Sequence, residues 1–104
     1  MKKIRNILID GNFVVGSSIT ITVLLSYDTS GNDAVTITIE DPTDTVKVDW
    51  ASMTKLSDSV FQYVYQNATT NEDGIYWVTI KATSGSNTIY EQKYFELSDQ
   101  ELLT

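Results

Sequence analysis

Apolar residues recur at every second position along most of this chain. In ITITVLLSY (19–27) the odd positions Ile19, Ile21, Val23, Leu25 and Tyr27 alternate with Thr20, Thr22 and Ser26, and Leu24 is the one exception. Val35, Ile37 and Ile39 alternate with Thr36, Thr38 and Glu40, and Val46, Val48 and Trp50 alternate with Lys47 and Asp49. A period of two puts each set on one face of a strand, and a polar opposite face points to antiparallel sheets wetted on one side. Further strands are expected over 59–66 (SVFQYVYQ), 75–83 and 88–97, and MKKIRNILIDGNF at the N-terminus reads as a first strand. Turn residues separate them: Gly16-Ser17-Ser18, DTSGND (28–33), Asp41-Pro42-Thr43-Asp44, and SGSN (84–87) as a tight hairpin. Pro42, the only proline, falls where its missing donor costs nothing. Residues 51–58 carry at most a turn or two of 3-10 helix. Seven or eight short strands with polar turns predict a β-sandwich.

One segment resists this alternation. In TIYEQKYFEL (88–97), burying Ile89, Phe95 and Leu97 takes Glu91 and Lys93 to the same face, so a β-bulge near 91–93 is expected to switch the register.

At 104 residues the chain is long enough for one core, assigned to residues 1–97. Residues 98–104 read as a flexible tail: Ser98 and Glu101 form a capping box, but too few residues follow to hold a helix. Leu102 and Leu103 are the tail's candidates for docking on the body or on a partner. The initiator methionine is what a whole gene product would carry, and Arg5, Asn6 and Asp10 interrupt any signal-peptide apolar run. No segment approaches the roughly 18 apolar residues of a membrane-spanning helix. The formal charge is -7, and the basic residues cluster only at Lys2, Lys3 and Arg5, so neither nucleic acid nor an anionic membrane is expected as a partner.

The chain has no cysteine and no histidine, which removes the usual zinc ligands and both Ser-His-Asp and Cys-His nucleophilic machinery. A glycosidase-like carboxylate pair needs a desolvated cleft, whereas Asp28, Asp33, Asp41, Asp44, Asp58, Glu72 and Asp73 fall mostly in turns, where solvation keeps pKa values ordinary. No enzyme activity and no cofactor are expected. DTSGND offers oxygen ligands but lacks a calcium loop's glycine at position six and glutamate at position twelve, so turn geometry explains it better. The sequon Asn67-Ala68-Thr69 reads as coincidence.

Tyr76 stands two residues before Val78 in NEDGIYWV. In immunoglobulin-type sandwiches a tyrosine near the start of strand F sends its hydroxyl back to backbone a few residues upstream. Gly74 allows a tight entry, Val78 takes the slot that holds cysteine in antibody domains, and Val23 is its expected counterpart across a core that also contains Ile21, Ile37, Val48 and Ile80. The segments GSSITITV, VTITIEDPTDTV and DGIYWV make the chain resemble the small Ig-like domains of bacteriophage structural proteins and bacterial surface repeats, over roughly residues 12–97. Members of that group usually carry glycine where Thr43-Asp44 stands.

The resemblance implies an immunoglobulin-like antiparallel sandwich and a non-enzymatic structural role in a virion, in capsid decoration, the head-tail connector or the tail. Its partner would be a viral capsid or tail protein, or another copy of the chain. An extracellular bacterial adhesion or carbohydrate-binding module is the alternative. Trp77 alternates with Tyr76 and Val78 and should project outward, and with Tyr90 and Tyr94 on the next strand it forms the candidate interface.

Overall fold

The computed structural model describes residues 2–67 and 72–98. Leu102 and Leu103 lie outside the described residues. Eight strands follow in order: β1 (Ile4–Gly11), β2 (Ser18–Leu25), β3 (Ala34–Glu40), β4 (Val46–Ser52), β5 (Thr54–Ser57), β6 (Val60–Gln66), β7 (Gly74–Ser84) and β8 (Asn87–Leu97). They form two four-stranded antiparallel sheets, β1-β2-β6-β5 and β4-β3-β7-β8. This is the strand order of an immunoglobulin-type sandwich: β1, β2, β6 and β5 stand for A, B, E and D, β3, β7 and β8 for C, F and G, and β4 adds to the second sheet.

The alternating apolar residues make the core. Ile19, Ile21, Val23 and Leu25 of β2 face Val35, Ile37 and Ile39 of β3 and Val78, Ile80 and Ala82 of β7, all buried. Val23 and Val78 are both fully buried, so aliphatic packing fills the place a disulfide takes in antibody domains. Each such valine or isoleucine contributes about 1.5–3 kcal/mol by leaving water.

Tyr76 is fully buried, and its hydroxyl donates to the Glu72 carbonyl oxygen at 2.6 Å, closing a tyrosine corner. Its ring stacks on Phe95 (centroids 5.2 Å apart, planes 10° off parallel) and lies 6.4 Å from Tyr65. Burial, helped by Tyr65 and the nearby acids Asp41, Glu72 and Asp73, pushes its pKa up to about 12. Gly74 enters the corner at φ 124°, and a Cβ there would meet Pro42 Cγ at 3.0 Å. A side chain would thus be strained twice over, by the backbone angle and by the proline.

The β3–β4 turn places Asp44 at the position where the resemblance implies glycine. Asp44 has φ 64°, its N–H donates to the Asp41 carbonyl at 3.0 Å, and Asp41 N–H donates to the Thr45 carbonyl at 2.9 Å. An aspartate tolerates this left-handed conformation better than most residues. The β7–β8 hairpin closes through Gly85-Ser86, with Gly85 at φ 61° as a two-residue loop of type II′ requires.

Several expectations are overturned. Residues 54–57 are a strand, not a helical turn: β5 pairs with β6 from Thr54↔Gln62 to Ser57↔Val60. Its four residues are all exposed, so edge pairing and not burial holds it, and no apolar period announces it. The expected bulge in β8 is absent, since β7 and β8 pair without a register shift from Gly74↔Leu97 to Ser84↔Asn87. Glu91 and Lys93 do lie on the inner side, but they are exposed there because the sandwich is open at that seam. Lys93 Nζ crosses the seam to donate to the Ile7 carbonyl at 2.7 Å.

In β4 the expected common face of Val46, Val48 and Trp50 does not form. Two register shifts against β3 leave only Val48 half-buried against the core, with Val46 and Trp50 exposed. Asp41 is also not a solvated turn acid. It is buried, its Oδ1 accepts from Thr43 N–H, Thr43 Oγ1 and Thr45 N–H at 2.7–2.9 Å, and these bonds, the Thr43 hydroxyl first, hold its pKa below the usual carboxylate range.

Candidate interaction face

The outer surface of the β4-β3-β7-β8 sheet is built from the residues between the core positions. Continuous pairing aligns them in three rows across β3, β7 and β8: Glu40, Trp77 and Tyr94; Thr38, Thr79 and Gln92; Thr36, Lys81 and Tyr90. The three expected interface residues Trp77, Tyr90 and Tyr94 therefore share one face, and they are 42%, 61% and 56% exposed. Tyr90 and Tyr94 are four residues apart on β8, about 13 Å along the strand.

Trp50 joins them, which alternation did not foresee. Between Ile37↔Ala51 and Ile39↔Val48 the two residues Asp49 and Trp50 oppose the single Thr38, a bulge that places Trp50 at φ 46°. The bulge turns the indole away from the core and over the sheet. Trp50 N–H donates to Thr38 Oγ1 at 3.1 Å, and its ring reaches 6.2 Å from Tyr90, edge to face. Lys81 Nζ sits 4.3 Å from the indole centroid. A cation over tryptophan at that distance contributes about 0.5–1 kcal/mol where it is exposed. Thr38 is consequently buried on a face that its alternation assigns to solvent.

Trp77 and Tyr94 form a second pair, with centroids 5.3 Å apart. Between the two pairs runs a polar row, in which Gln92 Nε2 donates to Thr79 Oγ1 at 3.0 Å. The Thr36 hydroxyl is buried without a hydrogen-bond partner. The face is thus two aromatic pairs separated by hydroxyl and amide groups, with one lysine and one glutamate in the outer rows.

The other candidate positions resolve as structure. Asn67 is buried, its Oδ1 accepts from Gly16 N–H and its Nδ2 donates to the Ser17 carbonyl, so the sequon's amide is consumed in holding the β1–β2 connection. In DTSGND the Asp33 carboxylate accepts from Ser30 N–H at 3.0 Å while Asp33 N–H donates back to the Ser30 carbonyl at 2.7 Å, the chemistry of a turn. Among the described residues no three acidic, histidine or cysteine side chains converge on a point that could hold a metal ion.

No protein-family model matches the chain, and no curated protein matches it significantly.

Proposed function

We propose that the chain is a non-enzymatic interaction protein that docks on a protein partner through the outer face of the β4-β3-β7-β8 sheet, as a minor component of a bacteriophage virion. The observation that carries this reading is the gathering of Trp50, Trp77, Tyr90 and Tyr94 on one sheet face, each more than a third exposed. Aromatic side chains are enriched where proteins bury surface against each other, and four large rings stand exposed on this one face. The virion setting comes from the resemblance to phage Ig-like domains. The net charge of -7 favours solubility of the free chain.

Mass spectrometry of purified virions and of a cell-surface fraction tests it. The chain in virions at a fixed ratio to the capsid protein supports the reading. A cytosolic monomer found in neither fraction defeats it.

The polar row between the aromatic pairs favours a second reading, a carbohydrate-binding module. Thr79 and Gln92 supply hydrogen-bonding groups beside flat rings, as stacked sugars require. Electrophoresis through polysaccharide-containing gels decides this point: retardation lost in Trp77→Ala supports sugar binding, and unretarded wild-type protein rejects it.

A further inference from the structure

Each sheet has two edges, so β1, β5, β4 and β8 all present unpaired backbone. Three of them are blunted. β5 has four residues, β4 carries two register shifts, and β1 carries a shift at Arg5. Short or bulged edges pair poorly with other chains. β8 is different: eleven residues, paired to β7 without a shift along its whole length.

The hairpin fixes which of its backbone groups are open. A two-residue loop brings Ser84 and Asn87 together as a hydrogen-bonded pair, so the odd residues of β8 bond to β7 and the even ones point away. The open groups belong to Thr88, Tyr90, Gln92, Tyr94 and Glu96. At Ser98 the edge is closed, since Ser98 N–H donates to the Phe13 carbonyl and the Ser98 carbonyl accepts from Val15 N–H.

We propose that two copies of this chain pair β8 to β8, antiparallel, about a twofold axis at Gln92. The strand is self-complementary around that residue. The axis sets Glu91 of one copy opposite Lys93 of the other, twice, and Tyr90 opposite Tyr94, twice. Gln92 meets Gln92, and as an even residue it forms a hydrogen-bonded pair with its own copy. Moving the axis to residue 90 or 94 keeps the backbone bonding but sets Glu91 opposite Ile89 or Leu97, so the charges choose the register.

Glu91 and Lys93 are exposed at the open seam. Lys93 already gives one proton to the Ile7 carbonyl, and an ammonium has two more donors for a carboxylate. The joined sheet would run eight strands, and its outer face would carry Trp77, Tyr94, then Tyr90 and Lys81 of the second copy in one row. The competing explanation is protective: inward charges on an edge strand discourage pairing. This proposal is independent of what the aromatic face binds.

Sedimentation equilibrium of the full chain over a wide concentration series tests it. Wild type is expected to approach twice the 11.6 kDa chain mass. Glu91→Lys or Lys93→Glu alone faces like charges at both pairs and should weaken dimerisation about tenfold or more. Mixing the two variants restores the attraction in a heterodimer, and Glu91→Lys/Lys93→Glu in one chain restores it in a homodimer. Recovery on mixing also shows that each variant is folded. A wild-type monomer at every concentration, or a dimer indifferent to the single reversals, overturns the proposal.

Discussion

The corner at Tyr76 gives the sharpest test of how this sandwich is held, because Tyr76→Phe removes one oxygen and leaves the packing. The ring is fully buried and stacked on Phe95, and phenylalanine keeps both features. What disappears is the 2.6 Å bond from the hydroxyl to the Glu72 carbonyl. Glu72 is exposed, so its carbonyl recovers a hydrogen bond from water and the expected loss is that of one ordinary bond, about 1 kcal/mol. For a domain near 100 residues this lowers Tm by about 4–8 °C. Tyr76→Ala also loses the ring and should cost about 3–5 kcal/mol.

Alkaline titration adds an independent signature. The folded pKa near 12 lies above the unfolded value of 10.0, so the folded state holds this proton more tightly. The stabilisation is complete below pH 10 and is lost as pH rises through 12. Wild type should therefore lose stability relative to Tyr76→Phe across that window. Thermal melts followed by circular dichroism at neutral pH and at several pH values from 10 to 12 measure both effects. A Tyr76→Phe protein as stable as wild type, with the same alkaline slope, would refute the latch.

Gly74→Ala forces a Cβ toward Pro42 at an unfavourable φ and should destabilise by about 1–3 kcal/mol in urea unfolding; a neutral result would mean the corner can relax. Asp41 has a depressed folded pKa, so its contribution is present above the unfolded value and is lost as pH falls through the folded one. Asp41→Asn should accordingly lower stability at neutral pH and flatten the acid limb of the pH–stability curve, and an unchanged acid limb would count against the bond network at Thr43 and Thr45. Thr36→Val removes a buried hydroxyl that has no partner and should raise stability by about 1 kcal/mol, whereas a drop in Tm would mean that the hydroxyl is satisfied in solution.

Where side-chain alternation coincides with burial, the chain states its own structure. β3 spans the AVTITIE segment that the period marks, and β2, β6, β7 and β8 begin and end within two residues of expectation. The tyrosine corner was legible because one spacing, Tyr76 before Val78 after a glycine, carries it. What escaped was decided by partners far along the chain. β5 has no apolar face and exists because β6 offers it an edge. Trp50 follows the core alternation in sequence, yet a bulge opposite Thr38 carries it to the outer face, and only the pairing with β3 sets that bulge. Glu91 and Lys93 read as a conflict requiring a bulge, but the conflict vanishes once the opposing sheet leaves that seam open. Asp41 escaped for a similar reason, since its burial depends on the fold of the turn it ties together.

The candidate face was half visible. Trp77, Tyr90 and Tyr94 emerged from alternation, while Trp50 and its contacts with Lys81 and Tyr90 arise from tertiary placement. The pairing of the two tryptophans with tyrosines also explains how large apolar groups stay ordered on a wet sheet: each ring covers part of its neighbour.

Hydroxyl-radical footprinting of the free protein and of purified virions reads the docking claim directly. Trp50 and Trp77 should be oxidised readily in the free chain and at least several-fold more slowly in the particle, while Leu56 and Val64 on the opposite sheet keep their reactivity. Equal oxidation of both tryptophans in the two states, or protection confined to the opposite sheet, would contradict the account.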